Sequence, residues 1–150
     1  MGKEPRTLDN SGFIHYTKYR INPLFGWGSE TVPEYEIEFY SKQDGTEPAK
    51  DFILGLDTKM RAKTLRTVAL LREEGPSLRE PYSKLLEDGI FEIRTKFGSD
   101  ITRVLYFFVV GKKVILTNGF VKKTQKTPAS EITLARQYRT DYLTRRENLK

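Results

Sequence analysis

The chain has 150 residues, 37% of them hydrophobic, with 26 Lys and Arg against 20 Asp and Glu for a formal charge of +6. That describes one domain with an ordinary core, and a basic balance that favours an acidic partner, nucleic acid first. No cysteine and a single histidine, His15, exclude disulfides, thiolate chemistry and Cys-based zinc sites, and argue against a His-built metal centre or a two-histidine nuclease. Catalysis falls to Lys, Arg, carboxylates, Tyr or hydroxyls, with no cofactor and no metal expected. The longest apolar run, Val104 to Val110, is too short for a membrane span, and an N-terminus with Lys3, Glu4, Arg6 and Asp9 lacks a signal-peptide core. A cytoplasmic protein is expected.

Residues 1–33 scatter glycines and prolines among Phe13, Tyr16, Tyr19, Phe25 and Trp27 without a helix or strand period, and read as an irregular extension. The domain proper is expected over 34–150. Tyr35, Ile37 and Phe39 alternate with Glu34, Glu36 and Glu38, which predicts a half-exposed strand closed by Gln43-Asp44-Gly45. Pro48 can open a helix whose Ala49, Phe52, Ile53 and Leu56 share one side. A second helix follows from about Thr58 to Glu74. Its predicted apolar stripe is Ala62, Leu65, Val68, Ala69 and Leu71, its wet face Lys59, Arg61, Lys63 and Arg66, and its stop Gly75-Pro76.

Ile90 to Phe97 alternates again, with Phe91, Ile93, Thr95 and Phe97 on one face and Glu92, Arg94 and Lys96 on an open, charged one. Arg103 to Val110 is apolar on both faces and reads as a central strand, turned by Gly111-Lys112 into Val114 to Phe120. Thr127 is expected to cap, and Pro128 to open, a last helix with Ile132, Ala135, Tyr138 and Tyr142 on one side. The fold class is α+β in the order β-α-α-β-β-β-α: an N-terminal strand and helical hairpin, an antiparallel three-strand meander and a C-terminal helix.

From Ile101 to Ser130 the chain carries Arg103, Lys112, Lys113, Lys122, Lys123 and Lys126 and no acidic residue. Such a surface suits a polyanion whose phosphates release counterions, although a lysine run also serves as a solubilising loop. Strand register decides which charges meet, and a one-residue slip would put Arg103 on the face opposite Arg94. The favoured register sets Lys96 against Arg103 across a loop of about six residues, gathering Glu92, Arg94, Lys96 and Arg103 on one face. Phe120 then lies beside Arg103, and Lys122 and Lys123 emerge at the same end, rimmed by Lys126. A cationic hollow of this kind fits RNA cleavage by the 2′-hydroxyl, whose phosphorane needs preorganised positive charge. Arg94 and Arg103 suit phosphate, and Glu92 or a lysine, Lys123 among them, would activate the hydroxyl. The plain alternative is a solubilising sheet face.

Leu85 to Arg94, Thr102 to Tyr106, and above all Phe120 to Ala135, with its Phe-x-Lys-Lys-Thr-Gln-Lys-Thr-Pro run, resemble the phage-derived HigB-like branch of the RelE/ParE toxin superfamily over about Tyr35 to Tyr142. The resemblance implies a type II toxin that cleaves mRNA, usually on the ribosome, without a metal, and is silenced by a helix-turn-helix antitoxin. It implies catalytic roles for Arg94, Arg103, Glu92 and Lys123, and RNA binding by Lys84, Lys96, Lys122 and Lys126. Two departures stand out: Glu92 replaces an expected lysine, and no tyrosine occurs between Lys126 and Ile132. The general base is therefore unassigned, and Tyr138 reads as core. The competing readings are a ParE-like gyrase poison and an inactive RNA-binding module of the same fold.

Overall fold

The structure, a computed structural model, describes before residue 34 only the backbone of four short strands, Arg6–Leu8 paired antiparallel with Ile14–Tyr16 and Tyr19–Asn22 with Gly26–Thr31, where an extension without strand period was expected, and it describes all of residues 35–149. Within them, β1 (Glu36–Phe39) leads into α1 (Pro48–Leu54) and α2 (Thr58–Glu74), then β2 (Ser83–Glu87), β3 (Ile90–Phe97), β4 (Asp100–Val109), β5 (Lys113–Val121) and α3 (Ala129–Asn148). The sheet runs β1-β5-β4-β3-β2, with β1 parallel to β5 and every other pair antiparallel. The α+β class and the order of the expected elements hold. β2 is an addition.

Each helix forms for a local reason. Pro48 occupies the first position of α1, and the Asp57 carboxylate accepts from the Met60 N–H at 2.9 Å to cap α2. Gly75 closes α2 with φ +55°. The buried face of α2 is rotated from the expected stripe: Met60, Thr64, Thr67, Val68 and Leu71 are buried while Ala62 is exposed.

Helices cover both faces of the sheet. Ile93, Val104, Tyr106, Val114 and Leu116 pack against α1 and α2, with Phe91 and Phe108 at the margin. On the other face Ile90, Leu105, Phe107 and Ile115 pack with Ala135, Tyr138 and Tyr142 of α3. Tyr138 stacks on Tyr40 with centroids 4.5 Å apart, so its core role holds. α1 comes so close to β5 that a Cβ at Gly119 would lie 2.3 Å from the Phe52 ring.

Three expectations are corrected. The β3–β4 connection is the two-residue turn Gly98-Ser99 rather than a loop of about six, and Arg103 pairs with Arg94 while Lys96 pairs with Ile101. The error is two residues, and the side-chain period of two therefore leaves every charge on its expected face. Arg103 does pair with Phe120. Thr127 does not cap α3, whose first position follows Pro128 with no side-chain cap, because its hydroxyl is engaged elsewhere.

Candidate active site

Arg94 and Arg103 stand directly opposite one another on β3 and β4. Like charges so placed repel. The Glu92 carboxylate resolves this from one row along the same face: its Oε2 lies 3.4 Å from the Nε of each arginine. Its Oε1 accepts from the Thr127 hydroxyl, which arrives on the segment leading into α3. Glu92 is 2% exposed and Arg103 5%, so this part of the charged face is closed rather than open as expected. Arg94 reaches further out, with its Nη1 3.8 Å from Glu80 Oε2.

Glu92 and the exposed Glu80 balance the two guanidiniums, and the excess positive charge of the group comes from Lys122 and Lys84 beside them. Burial holds the Arg103 guanidinium below the usual arginine range, with Arg94 adding to the effect and Glu92 opposing it. Arg103 Nη1 also donates to the Thr102 carbonyl at 3.0 Å. Half-buried Lys122 is pulled below the ordinary lysine range by burial first, then by Arg103 and Arg94, with Glu92 opposing and Lys84 contributing. Lys122 and Lys84 thus share the field of the arginine pair. Lys84 pairs with Glu92 across β2–β3, while the Lys122 backbone N–H donates to Ile101 O at 2.8 Å.

A cleft of about 310 Å³ opens onto this group, lined by Arg94, Lys96 and Arg103, by Lys63 and Thr67 of α2, and by Tyr82. Lys63 donates through Nζ to the Lys96 carbonyl. Lys123 and Lys126 are exposed on the loop after β5, and no side-chain ion pair or hydrogen bond ties either to the arginines among the described residues. The structure thus gathers Glu92, Arg94, Lys96, Arg103, Lys122 and Lys84, and leaves Lys123 and Lys126 at the rim. No group of three His, Cys, Asp or Glu side chains that could hold a metal ion occurs among the described residues.

Lys63, Tyr82 and Thr127 were not foreseen. Lys63 lies on the helix face expected to be solvated, and Thr127 at the expected cap position. Asp88-Gly89 is a hairpin turn signal, and both residues have positive φ, +52° and +74°. Pairing straight back from Glu87 against Ile90 would set Ser83 opposite Arg94; the register shift between Leu85 and Glu87 brings Tyr82 there instead, so the turn alone does not find it.

The family model of phage-derived Gp49-like proteins matches residues 51–140, from α1 into α3, and spans Arg94, Arg103 and the lysine run. No curated protein matches the chain. With more than half of its length matched, the chain belongs to the phage-derived Gp49-like family.

Proposed function

We propose that this protein is the toxin of a type II toxin–antitoxin pair, an endoribonuclease that cuts mRNA without a metal. The observation that carries the reading is the buried Glu92 held between Arg94 and Arg103, two arginines that line a cationic cleft. Buried ion pairs are costly to assemble and contribute little net stability, so one set at a cationic cleft fits a task better than it fits folding.

The chemistry follows from the groups. The 2′-hydroxyl oxygen of the RNA attacks the adjacent phosphorus, and the bond to the 5′-oxygen of the next nucleotide breaks. Arg94 and Arg103 hold the non-bridging oxygens as charge builds on the phosphorane. Glu92 acts as the support that fixes both guanidiniums, in place of the general-base role expected of it. Lys122, whose neutral form is made accessible by burial and by the two arginines, takes the 2′-proton. Lys96, at the cleft, returns a proton to the 5′-oxygen. The products are a 2′,3′-cyclic phosphate and a 5′-hydroxyl.

Translated mRNA as substrate, the ribosome as setting, the cytoplasm as location and a helix-turn-helix antitoxin as silencing partner follow from the resemblance to the HigB-like branch. Among the described residues no helix is long and apolar enough to cross a membrane. Mapping 5′ ends of transcripts after induction tests the proposal. New 5′-hydroxyl ends inside translated messages are expected, and persistent DNA-cleavage complexes with intact transcripts would overturn it in favour of a gyrase poison.

A further inference from the structure

Arg94 N–H donates to the Tyr82 carbonyl at 2.8 Å, which continues the Ser83–Ile93 register by one residue. Tyr82, Arg94, Arg103 and Phe120 therefore form one row across four adjacent chain segments, on the same sheet face. Neighbours in such a row have Cβ atoms about 4.5–5.5 Å apart. The two arginines are thus flanked by aromatic rings, and the rings differ. Phe120 is packed against the α3 core, whereas Tyr82 is 45% exposed and lines the cleft together with Pro81. Pro81 fixes its own φ and stiffens the segment that carries the ring.

We propose that Tyr82 is the base-stacking residue of this cleft, taking the nucleobase of a single-stranded RNA nucleotide whose phosphate sits on Arg94 and Arg103. A nucleotide presents one flat π surface and one anion a short distance away, and an exposed ring beside paired guanidiniums is the matching arrangement. An acidic peptide would use the arginines alike but has no need of the ring. The inference rests on the ribonuclease reading and adds to it the contact that selects single-stranded RNA.

The test is anisotropy with a short, non-cleavable 2′-O-methyl single-stranded RNA, and a series of the same RNA carrying one abasic site at successive positions. Tyr82→Leu should weaken binding about 5- to 150-fold, the fold-change equivalent of about 1–3 kcal/mol per stacked base, and Tyr82→Phe, which keeps the ring, should recover most of it. At one position the abasic site should cost the parent a similar factor and cost Tyr82→Leu nothing more. If every abasic site costs parent and Tyr82→Leu alike, the stacking role is overturned. Loss of affinity in Arg94→Ala with none in Tyr82→Leu would overturn it while leaving the ribonuclease reading intact. A parent that binds no RNA would remove both.

Discussion

Two arginines facing each other across a β ladder, both tied to one buried carboxylate, set a demanding electrostatic problem for each residue involved. Arg94→Ala or Arg103→Ala is expected to lower single-turnover RNA cleavage by about 10²–10³-fold, the loss typical of one preorganised donor to a developing oxyanion. Arg→Lys should rescue poorly, because a point charge replaces a planar fork. Glu92→Gln should reduce both cleavage and thermal stability, the latter by on the order of 3 kcal/mol, since two guanidiniums lose their buried partner. A Glu92→Gln variant that loses activity at unchanged stability would instead make Glu92 a base. Lys122 gives a pH signature. Because its pKa is depressed, its neutral form appears below the ordinary lysine value of 10.5, and the rising limb of the rate profile should lie below that value. Lys84→Ala removes one depressing charge and should move the limb to higher pH; an unmoved limb would exclude Lys122 as the base. The grouping of Glu92, Arg94, Lys96 and Arg103 on one sheet face was legible, because strand alternation puts residues two apart on the same side. That Glu92 is closed over, and that Lys122 rather than Lys123 joins the arginines, was not. Both depend on Thr127 and on how the chain leaves β5, contacts made across long separations.

At the scale of elements, the β2–β3 hairpin holds Tyr82 and Lys84 beside the arginines, and its turn depends on Gly89 at φ +74°. Gly89→Val should cost about 1–2 kcal/mol, the penalty for a side chain in the left-handed region, and should loosen RNA binding in parallel. Thermal unfolding and anisotropy measured together check this, and loss of stability without loss of affinity would separate the hairpin from the site. α1 and α2 were legible from apolar spacing and from Pro48 and Gly75. β2 was not, since Ser-Lys-Leu-Leu-Glu at a sheet edge has no alternation, and Leu85 there is 55% exposed. The β3–β4 register erred by two residues because Gly98-Ser99 offers a weaker turn signal than Asn-Gly or Asp-Gly.

For the whole molecule, α3 is fastened to the sheet by polar contacts around its aromatic stripe. Tyr40 donates to Asp141 at 2.6 Å, Tyr142 donates to Glu38 at 2.9 Å, and Arg139 pairs with Asp88 at 2.7 Å. Burial pushes the phenols of Tyr40, Tyr106 and Tyr142 up to about 12, helped in Tyr40 by Asp141 and in Tyr142 by Glu38. A raised phenol pKa means that the native state keeps protons the unfolded chain gives up. The stabilisation is complete below about pH 10 and is lost as pH rises toward about 12. Unfolding midpoints should therefore fall steeply across that window, and Tyr142→Phe should flatten part of the fall.

The central claim is that Arg94 and Arg103 carry RNA cleavage by the 2′-hydroxyl, and end-group analysis of RNA cut in a translating extract tests it most directly. The expected products are 2′,3′-cyclic phosphate or 3′-phosphate ends with 5′-hydroxyl partners, produced by the parent and nearly absent with Arg94→Ala and Arg103→Ala. Ends bearing a 3′-hydroxyl, or equal cleavage by those variants, would contradict it and return the charged strand face to a solubilising surface.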